Sequence, residues 1–246
     1  MYRCIECGTE YEHHVSPCTS CLETNSVVPM GRRVRALVYY VPEVTDARSL
    51  LRETWQVVAT SAYPTLQLRR GALVVLTGGP GDGKSTTACR ALDGLKGTVV
   101  LASIEEPPGP SLAARLARAG VRRDDFGIVG RASVDQLVEV CRLRGAVGLA
   151  IDSVQPGDFH ARDLRHLLAV LPRLEVLFAV SQNNKRGAIL GENALAHEAD
   201  VVIKCEAMRW SLTKSRYQPI DQPDARGEVL RGGPTWSPLP EVANDA

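Results

Sequence analysis

Nine consecutive residues, Gly78, Gly79, Pro80, Gly81, Asp82, Gly83, Lys84, Ser85 and Thr86, constrain this chain more than any other feature. They follow an apolar run, ALVVLT at 72–77, and open a helical stretch over 84–95. A G-x-x-x-x-G-K-[ST] pattern between a strand and a helix is a phosphate-binding loop. The glycines let backbone N–H groups curl around a β-phosphate, and the helix N-terminus adds partial positive charge there. Lys84 is placed to reach the β- and γ-phosphates, and the Ser85 hydroxyl to sit on Mg²⁺. With 21 Gly in 246 residues and lysine rare, composition alone yields about 0.004 such matches by chance.

Around the loop, short apolar runs alternate with helical stretches. Strands are expected at 72–77, 98–104, 126–129, 147–151 and 175–180, with helices at 84–95, 111–119, 134–144 and 161–171. This spacing means βαβ units, hence an α/β fold with a mainly parallel sheet covered on both faces. Two final runs, 200–205 and 209–213, lie close together and fit a terminal hairpin. Ahead of the loop, 34–41 reads as a strand and 47–60 as a helix. Beyond Pro219 the chain is rich in Pro, Gly and Asp and reads as a loose tail. At roughly 150 residues per domain, the length fits one full domain plus a small one. The expected division is a module at 1–25, a lead-in at 26–60, a core at 61–218 and a tail at 219–246.

The small module is defined by cysteine. Four of the 7 Cys lie in the first 21 residues, as Cys4-x2-Cys7, a ten-residue gap, and Cys18-x2-Cys21. Each two-residue gap makes a tight knuckle offering two thiolates, and two knuckles complete a tetrahedron around Zn²⁺. So short a stretch cannot bury enough apolar area to fold alone, and metal binding would supply the missing free energy. The plain alternative is a cluster of free thiols. His13 and His14 sit between the pairs, but four thiolates already fill the shell. A zinc ribbon of this kind serves to bind DNA, to bind protein, or simply to fold. Cys89, Cys141 and Cys205 are isolated among apolar neighbours and read as buried small hydrophobes.

Charge excludes some classes of function. With 29 Lys+Arg against 28 Asp+Glu, the net charge of +1 argues against a histone-like binder. Aromatic residues make up 5%, which argues against a stacking platform for single strands. No apolar run approaches the ~20 residues of a membrane helix, and the N-terminus lacks the apolar core of a signal peptide. The chain is therefore expected to be soluble and cytoplasmic, with no membrane partner. Only 5 of the basic residues are Lys, and three of those, Lys84, Lys185 and Lys214, fall in motifs described here.

Nucleotide hydrolysis needs more than a phosphate loop. The run VGLAID at 147–152 is an apolar strand ending in a carboxylate. Asp152, at the end of a strand expected beside the loop, can hold Mg²⁺ directly or through water. The 98–104 strand also ends in carboxylates, Glu105 and Glu106, either of which can polarise an attacking water.

A strand closing in Ser103-Ile104-Glu105-Glu106 after the loop helix resembles the RecA-like ATPases, in which the catalytic Glu ends the strand next to the loop strand. The more specific resemblance is to the bacterial RadA/Sms family of DNA-repair ATPases. That family opens with a CxxC…CxxC motif of the same ten-residue gap. Its loop is similar to GGPGDGKST, its next strand ends S-x-E-E, and its metal-carboxylate strand reads I-D-S-[IV]-Q, as in Ile151-Asp152-Ser153-Val154-Gln155. Asn184-Lys185-Arg186-Gly187 and the stretch from Gly191 to Asp200 resemble its T-K-x-G…I-A-G-P-R-x-L-E-H-x-x-D segment, with Leu195, His197 and Asp200 in register. Thr213 to Tyr217 resembles its K-N-R-F-G motif. The sequence departs at Ser215, Tyr217 and Gln218 and at Glu192-Asn193. It carries no counterpart of the family's Lon-protease-like C-terminal domain, and so looks like a truncated relative.

The resemblance implies a RecA-like core using ATP and Mg²⁺, behind a Zn²⁺ ribbon. It implies Glu105 as general base and Gln182 as sensor of the γ-phosphate. Lys214 and Arg216 are similar to a basic pair that reaches a neighbouring subunit's nucleotide, so a homo-oligomeric ring, such as a hexamer, is implied. Single-stranded DNA would meet loops at 183–193 and 157–162, where Lys185 and Arg186 supply phosphate-directed charge. Arg32, Arg33 and Arg35 form a further small cluster that reads equally as plain surface. The implied activity is a DNA-stimulated ATPase, with helicase action open, that moves on or remodels single-stranded DNA in recombination and repair beside a recombinase or replication partner. The alternatives are a nucleotide-gated recruitment protein with slow hydrolysis and a helicase accessory.

Overall fold

A computed structural model describes residues 2–4, 9–12, 27–29, 56–182, 193–221 and 225–229. The chain divides into two compact units, 1–53 and 54–246.

In the first unit, β1 (Tyr2–Cys4), β2 (Glu10–Tyr11) and β3 (Val27–Pro29) form an antiparallel sheet in the order β2-β1-β3. Cys4 ends β1 with 1% of its surface exposed, and its backbone N–H donates to the Thr9 carbonyl at 2.8 Å. Cys7, Cys18 and Cys21, His13 and His14, and the strand expected at 34–41 lie outside the described residues.

The second unit opens with a small antiparallel pair, β4 (Val57–Val58) and β5 (Leu68–Arg69). This corrects the helix expected over 47–60 at its C-terminal end. Two adjacent β-branched valines favour extended backbone, and the Thr60 hydroxyl donates to the Ala91 carbonyl at 2.9 Å, holding the chain out of a helix.

The main sheet takes β6 (Ala72–Thr77), β7 (Val99–Ser103), β8 (Phe126–Val129), β9 (Gly148–Asp152), β10 (Val176–Val180), β11 (Val201–Glu206), β12 (Arg209–Ser215) and β13 (Arg226–Glu228). Their spatial order is β13-β12-β11-β6-β10-β9-β7-β8. The first six in chain order are parallel to one another, and β12 and β13 return antiparallel at one edge. β13 falls in the stretch read as a loose tail; there the chain re-enters the sheet, with Trp210 opposite Gly227.

Helices α1 (Lys84–Asp93), α2 (Pro110–Ala119), α3 (Val134–Arg144), α4 (Ala161–Val170) and α5 (Asn193–Glu198) connect the strands. Their ends follow the sequence. Pro110 starts α2, where a missing N–H costs nothing. Ser133 and Gln136 form a reciprocal capping box at α3, and Gly145 closes it in a left-handed conformation. The sheet is apolar on both faces because alternate side chains enter different cores. Ala72, Val74 and Leu76 pack with Leu92 and Phe178, whereas Leu73 and Val75 pack with Leu137, Leu164 and Leu177.

The strand order differs from the expected one at a point that matters for the site. Neither the Glu105 strand nor the Asp152 strand neighbours the loop strand: β10 pairs with β6, β9 with β10, and β7 with β9. The α1 crossover covers β10 and β9 before the chain re-enters as β7. Those two central positions are filled later in the sequence. Among the described residues, no helix is long and apolar enough to cross a membrane.

Candidate functional site

The loop of residues 78–83 leaves the end of β6 and runs into α1 as expected. Gly78 has φ 152°, and a Cβ there would stand 2.3 Å from the Cys205 carbonyl oxygen, so only glycine fits so close to β11. Gly83, at φ 95°, sets the left-handed turn that enters the helix. The Lys84 ammonium donates to the Gly79 carbonyl at 2.7 Å, bending back over the loop. The Thr87 hydroxyl donates to the Gly83 carbonyl at 2.9 Å.

Asp82 holds this loop together. Its carboxylate accepts the Gly79 N–H at 2.6 Å and the Ala207 N–H at 3.0 Å. These bonds, that to Ala207 foremost, hold its carboxyl below the usual range. Ala207 and Met208 form the two-residue β11–β12 turn with φ of 47° and 60°, the type I′ geometry that suits a right-twisted hairpin. The Met208 carbonyl in turn accepts the Val229 N–H at 3.0 Å. Sequence reasoning assigned Asp82 to the loop but missed this anchor, because a contact 125 residues away leaves no local signal.

Although β9 lies two strands away, the Ser85 hydroxyl donates to Asp152 Oδ1 at 3.1 Å. Asp152 is only 3% exposed, and burial raises its carboxyl pKa, opposed by the Ser85 hydrogen bond and the nearby Arg115. Arg115 on α2 lies 2.8 Å from Asp152 Oδ2 and 2.5 Å from Glu106 Oε2, so its fork ties two carboxylates. Sequence reasoning passed over Arg115. A hydroxyl paired with a buried carboxylate at a loop–helix junction is an oxygen donor set suited to Mg²⁺.

Glu105 and Gln182 fall into one cluster. The Ile104 and Glu105 N–H groups donate to the Asp152 carbonyl at 2.7 and 3.2 Å, fixing the end of β7 to the end of β9. The exposed Glu105 carboxylate accepts the Ser153 hydroxyl at 3.1 Å and the Gln182 amide at 3.1 Å. Gln182 is itself held, its N–H donating to the Gln155 side-chain carbonyl at 3.2 Å. Gln155 donates to the Ser181 hydroxyl at 2.6 Å. A network across the ends of β7, β9 and β10 thus orients one carboxylate toward solvent.

Lys214 and Arg216 lie elsewhere. β12 runs antiparallel, so Lys214 pairs across from Val202, and Arg216 N–H bonds the Asp200 carbonyl, level with Leu73 at the start of β6. Their backbone is about 10–16 Å along the strand from Gly78, at ~3.3 Å per residue. The Lys214 ammonium donates to the Ala196 and His197 carbonyls at 2.8 Å each, at the end of α5. Burial and then neighbouring Arg216 lower its pKa. Arg216 pairs with Asp200 at 2.8 Å, as does Arg165 at 3.0 Å. Lys185 and Arg186 lie outside the described residues. Among the described residues no group of three or more His, Cys, Asp or Glu is placed to hold a metal ion.

No family model matches the chain. Curated relatives do. DNA repair protein RadA of Aquifex aeolicus is 26% identical over 235 residues, which cover 85% of this chain and 52% of that protein. The chain is RadA-like. RadA of Pseudomonas aeruginosa is 24% identical over 237 residues, covering 84% of this chain, and RadA of Haemophilus influenzae 22% over 250 residues, covering 89%. The chain spans about half the length of the RadA proteins it matches. The matched span takes in most of the chain.

Proposed function

We propose that the chain is a nucleoside-triphosphate hydrolase of RadA type that acts on DNA in repair. The observation carrying this reading is the Ser85–Asp152 hydrogen bond of 3.1 Å, formed where a phosphate loop meets a buried strand-end carboxylate. Loop N–H groups and Lys84 bind the β- and γ-phosphates of ATP. Ser85 and Asp152 hold Mg²⁺, which when bound neutralises charge across those phosphates. Glu105, turned to solvent by Ser153 and Gln182, accepts the proton of the attacking water. Gln182 touches Glu105 directly, so a change in the phosphate that it senses is felt at the base.

Hydrolysis on this reading depends on assembly into a homo-oligomeric ring. Lys214 and Arg216 stand level with the middle and the start of the chain's own β6, away from the loop, and a cation from a neighbouring copy would complete each site. Single-stranded DNA meets the segment carrying Lys185 and Arg186. The four N-terminal cysteines bind Zn²⁺ as a recruitment or folding module.

The deciding experiment measures ATP turnover with and without single-stranded DNA, beside the mass of the assembly. Stimulation by DNA, lost in Lys84→Ala, supports a motor. Turnover indifferent to DNA points to a nucleotide-gated recruitment protein instead, and no binding of ATP refutes the nucleotide reading.

A further inference from the structure

Beside the loop lies a cavity of about 300 Å³, lined by Gly81, Gly83, Lys84, Ser85, Thr86, Arg115, Arg118 and Met208. One wall is the phosphate loop and the start of α1. The facing wall is α2, with Arg115 and Arg118 among the residues lining the cavity. A spacing of three residues puts both on one helical face.

The two arginines differ in how their charge is used. Arg115 is committed to Asp152 at 2.8 Å and to Glu106 at 2.5 Å. Arg118 forms no ion pair among the described residues, although it lines the same cavity as the loop. A cation on a phosphate-binding cavity without a carboxylate partner is matched by the ligand's own anionic tail. A guanidinium suits this role because its planar fork can engage two phosphate oxygens at once.

We propose that Arg118 is a nucleotide-binding residue of the same chain, contacting the phosphate tail from the α2 side, opposite Lys84. The inference rests on the nucleotide reading above and adds a second cationic wall to it. Arg118 acts within its own chain, and so differs from Lys214 and Arg216, which are proposed above to serve a neighbour. The contact is with phosphate, so it is indifferent to the base.

The test is equilibrium binding of a fluorescent ATP analogue to the full chain, and its displacement by inorganic triphosphate. Arg118→Ala is expected to weaken both ligands by about tenfold, as for loss of one charge-assisted hydrogen-bonded contact, and Arg118→Lys to restore most of the loss. Arg118 is exposed and unpaired, so its melting temperature should match that of the unaltered chain. Weaker ATP analogue binding with unchanged triphosphate binding would assign Arg118 to the nucleoside and overturn the proposal. Unchanged affinity for both overturns it as well, while leaving the nucleotide reading intact. Failure of the unaltered chain to bind either ligand sinks that reading and this inference together.

Discussion

The Gln182 side-chain amide donates to the Glu105 carboxylate at 3.1 Å, joining the ends of two strands that are not neighbours in the sheet. On the proposed reading Glu105 is a general base, which needs both proximity to water and a fixed orientation; this bond with that from Ser153 supplies the orientation. Glu105→Gln keeps the shape and removes the proton acceptor. ATP turnover should fall by about 10²–10⁴-fold, the usual contribution of such a base, while ATP analogue binding stays within a few-fold. Gln182→Leu leaves the base in place but unguided, and about a tenfold loss is expected. Undiminished turnover in Glu105→Gln removes that residue from the chemistry.

Asp82 gives a pH dependence with a definite sign. Its folded pKa lies below the ordinary carboxylate value because the Ala207 and Gly79 N–H groups stabilise the charged form. The stabilisation is therefore complete above the unfolded value near 3.8 and is lost as pH falls through the folded one. Asp82→Ala removes the tie between loop and hairpin, and should cost about 1 kcal/mol of stability and flatten the acid limb of a thermal-melting profile. Identical acid limbs for the two proteins would show that the tie contributes nothing.

Candidate site residues were easier to read from the sequence than their neighbourhood. Lys84, Ser85, Asp152 and Glu105 stand out in the sequence because each ends or begins an apolar run, and Gln182 through the family resemblance; the structure brings Ser85 to Asp152 and Gln182 to Glu105. What was not legible was lateral order. Periodicity distinguishes strand from helix but carries nothing about which strand pairs with which, and β7, expected next to β6 from the family resemblance, lies three strands away. Arg115 and Arg118 escaped for a related reason: arginines on an amphipathic helix look like solvated surface until the sheet sets that helix against the loop. The Val57-Val58 pair was read as the end of a helix because its partner, Leu68–Arg69, lies ten residues on.

Asp200 is 5% exposed and accepts the Leu73 N–H at 2.9 Å as well as both guanidinium groups. Its carboxylate fastens α4, β6 and the end of β12 at one point. Asp200→Ala leaves a buried N–H and two cations without their anion, and should cost about 3 kcal/mol. Thermal or urea unfolding measures this directly. A change under 1 kcal/mol would mean that the cations are adequately served by water.

Zinc is testable independently of the ATPase core. Cys4 is buried at the end of β1, and its N–H donates to the Thr9 carbonyl. Purified protein should carry about one Zn²⁺ per chain. Strong chelator should release it and expose four reactive thiols, because the module cannot fold on apolar burial alone. The core, a separate compact unit, should keep its melting transition. Protein without zinc and with freely titrating thiols rules the ribbon out.

Dependence on a neighbouring copy predicts complementation. Lys84→Ala spoils a chain's own phosphate site but leaves its Lys214 and Arg216 intact. The double variant Lys214→Ala/Arg216→Ala has the reverse defect. Each alone should turn over ATP at under about a hundredth of the normal rate, since trans cations of this type are worth 10³–10⁵ in related enzymes. In a ring of mixed chains, roughly a quarter of the interfaces join an intact phosphate site to an intact basic pair, and activity should return in that proportion. Arg216 also pairs with Asp200, so the double variant must first match the unaltered chain in assembly mass and melting temperature. Full activity of the double variant alone would assign Lys214 and Arg216 to structure: the first fastening the end of α5, the second balancing Asp200.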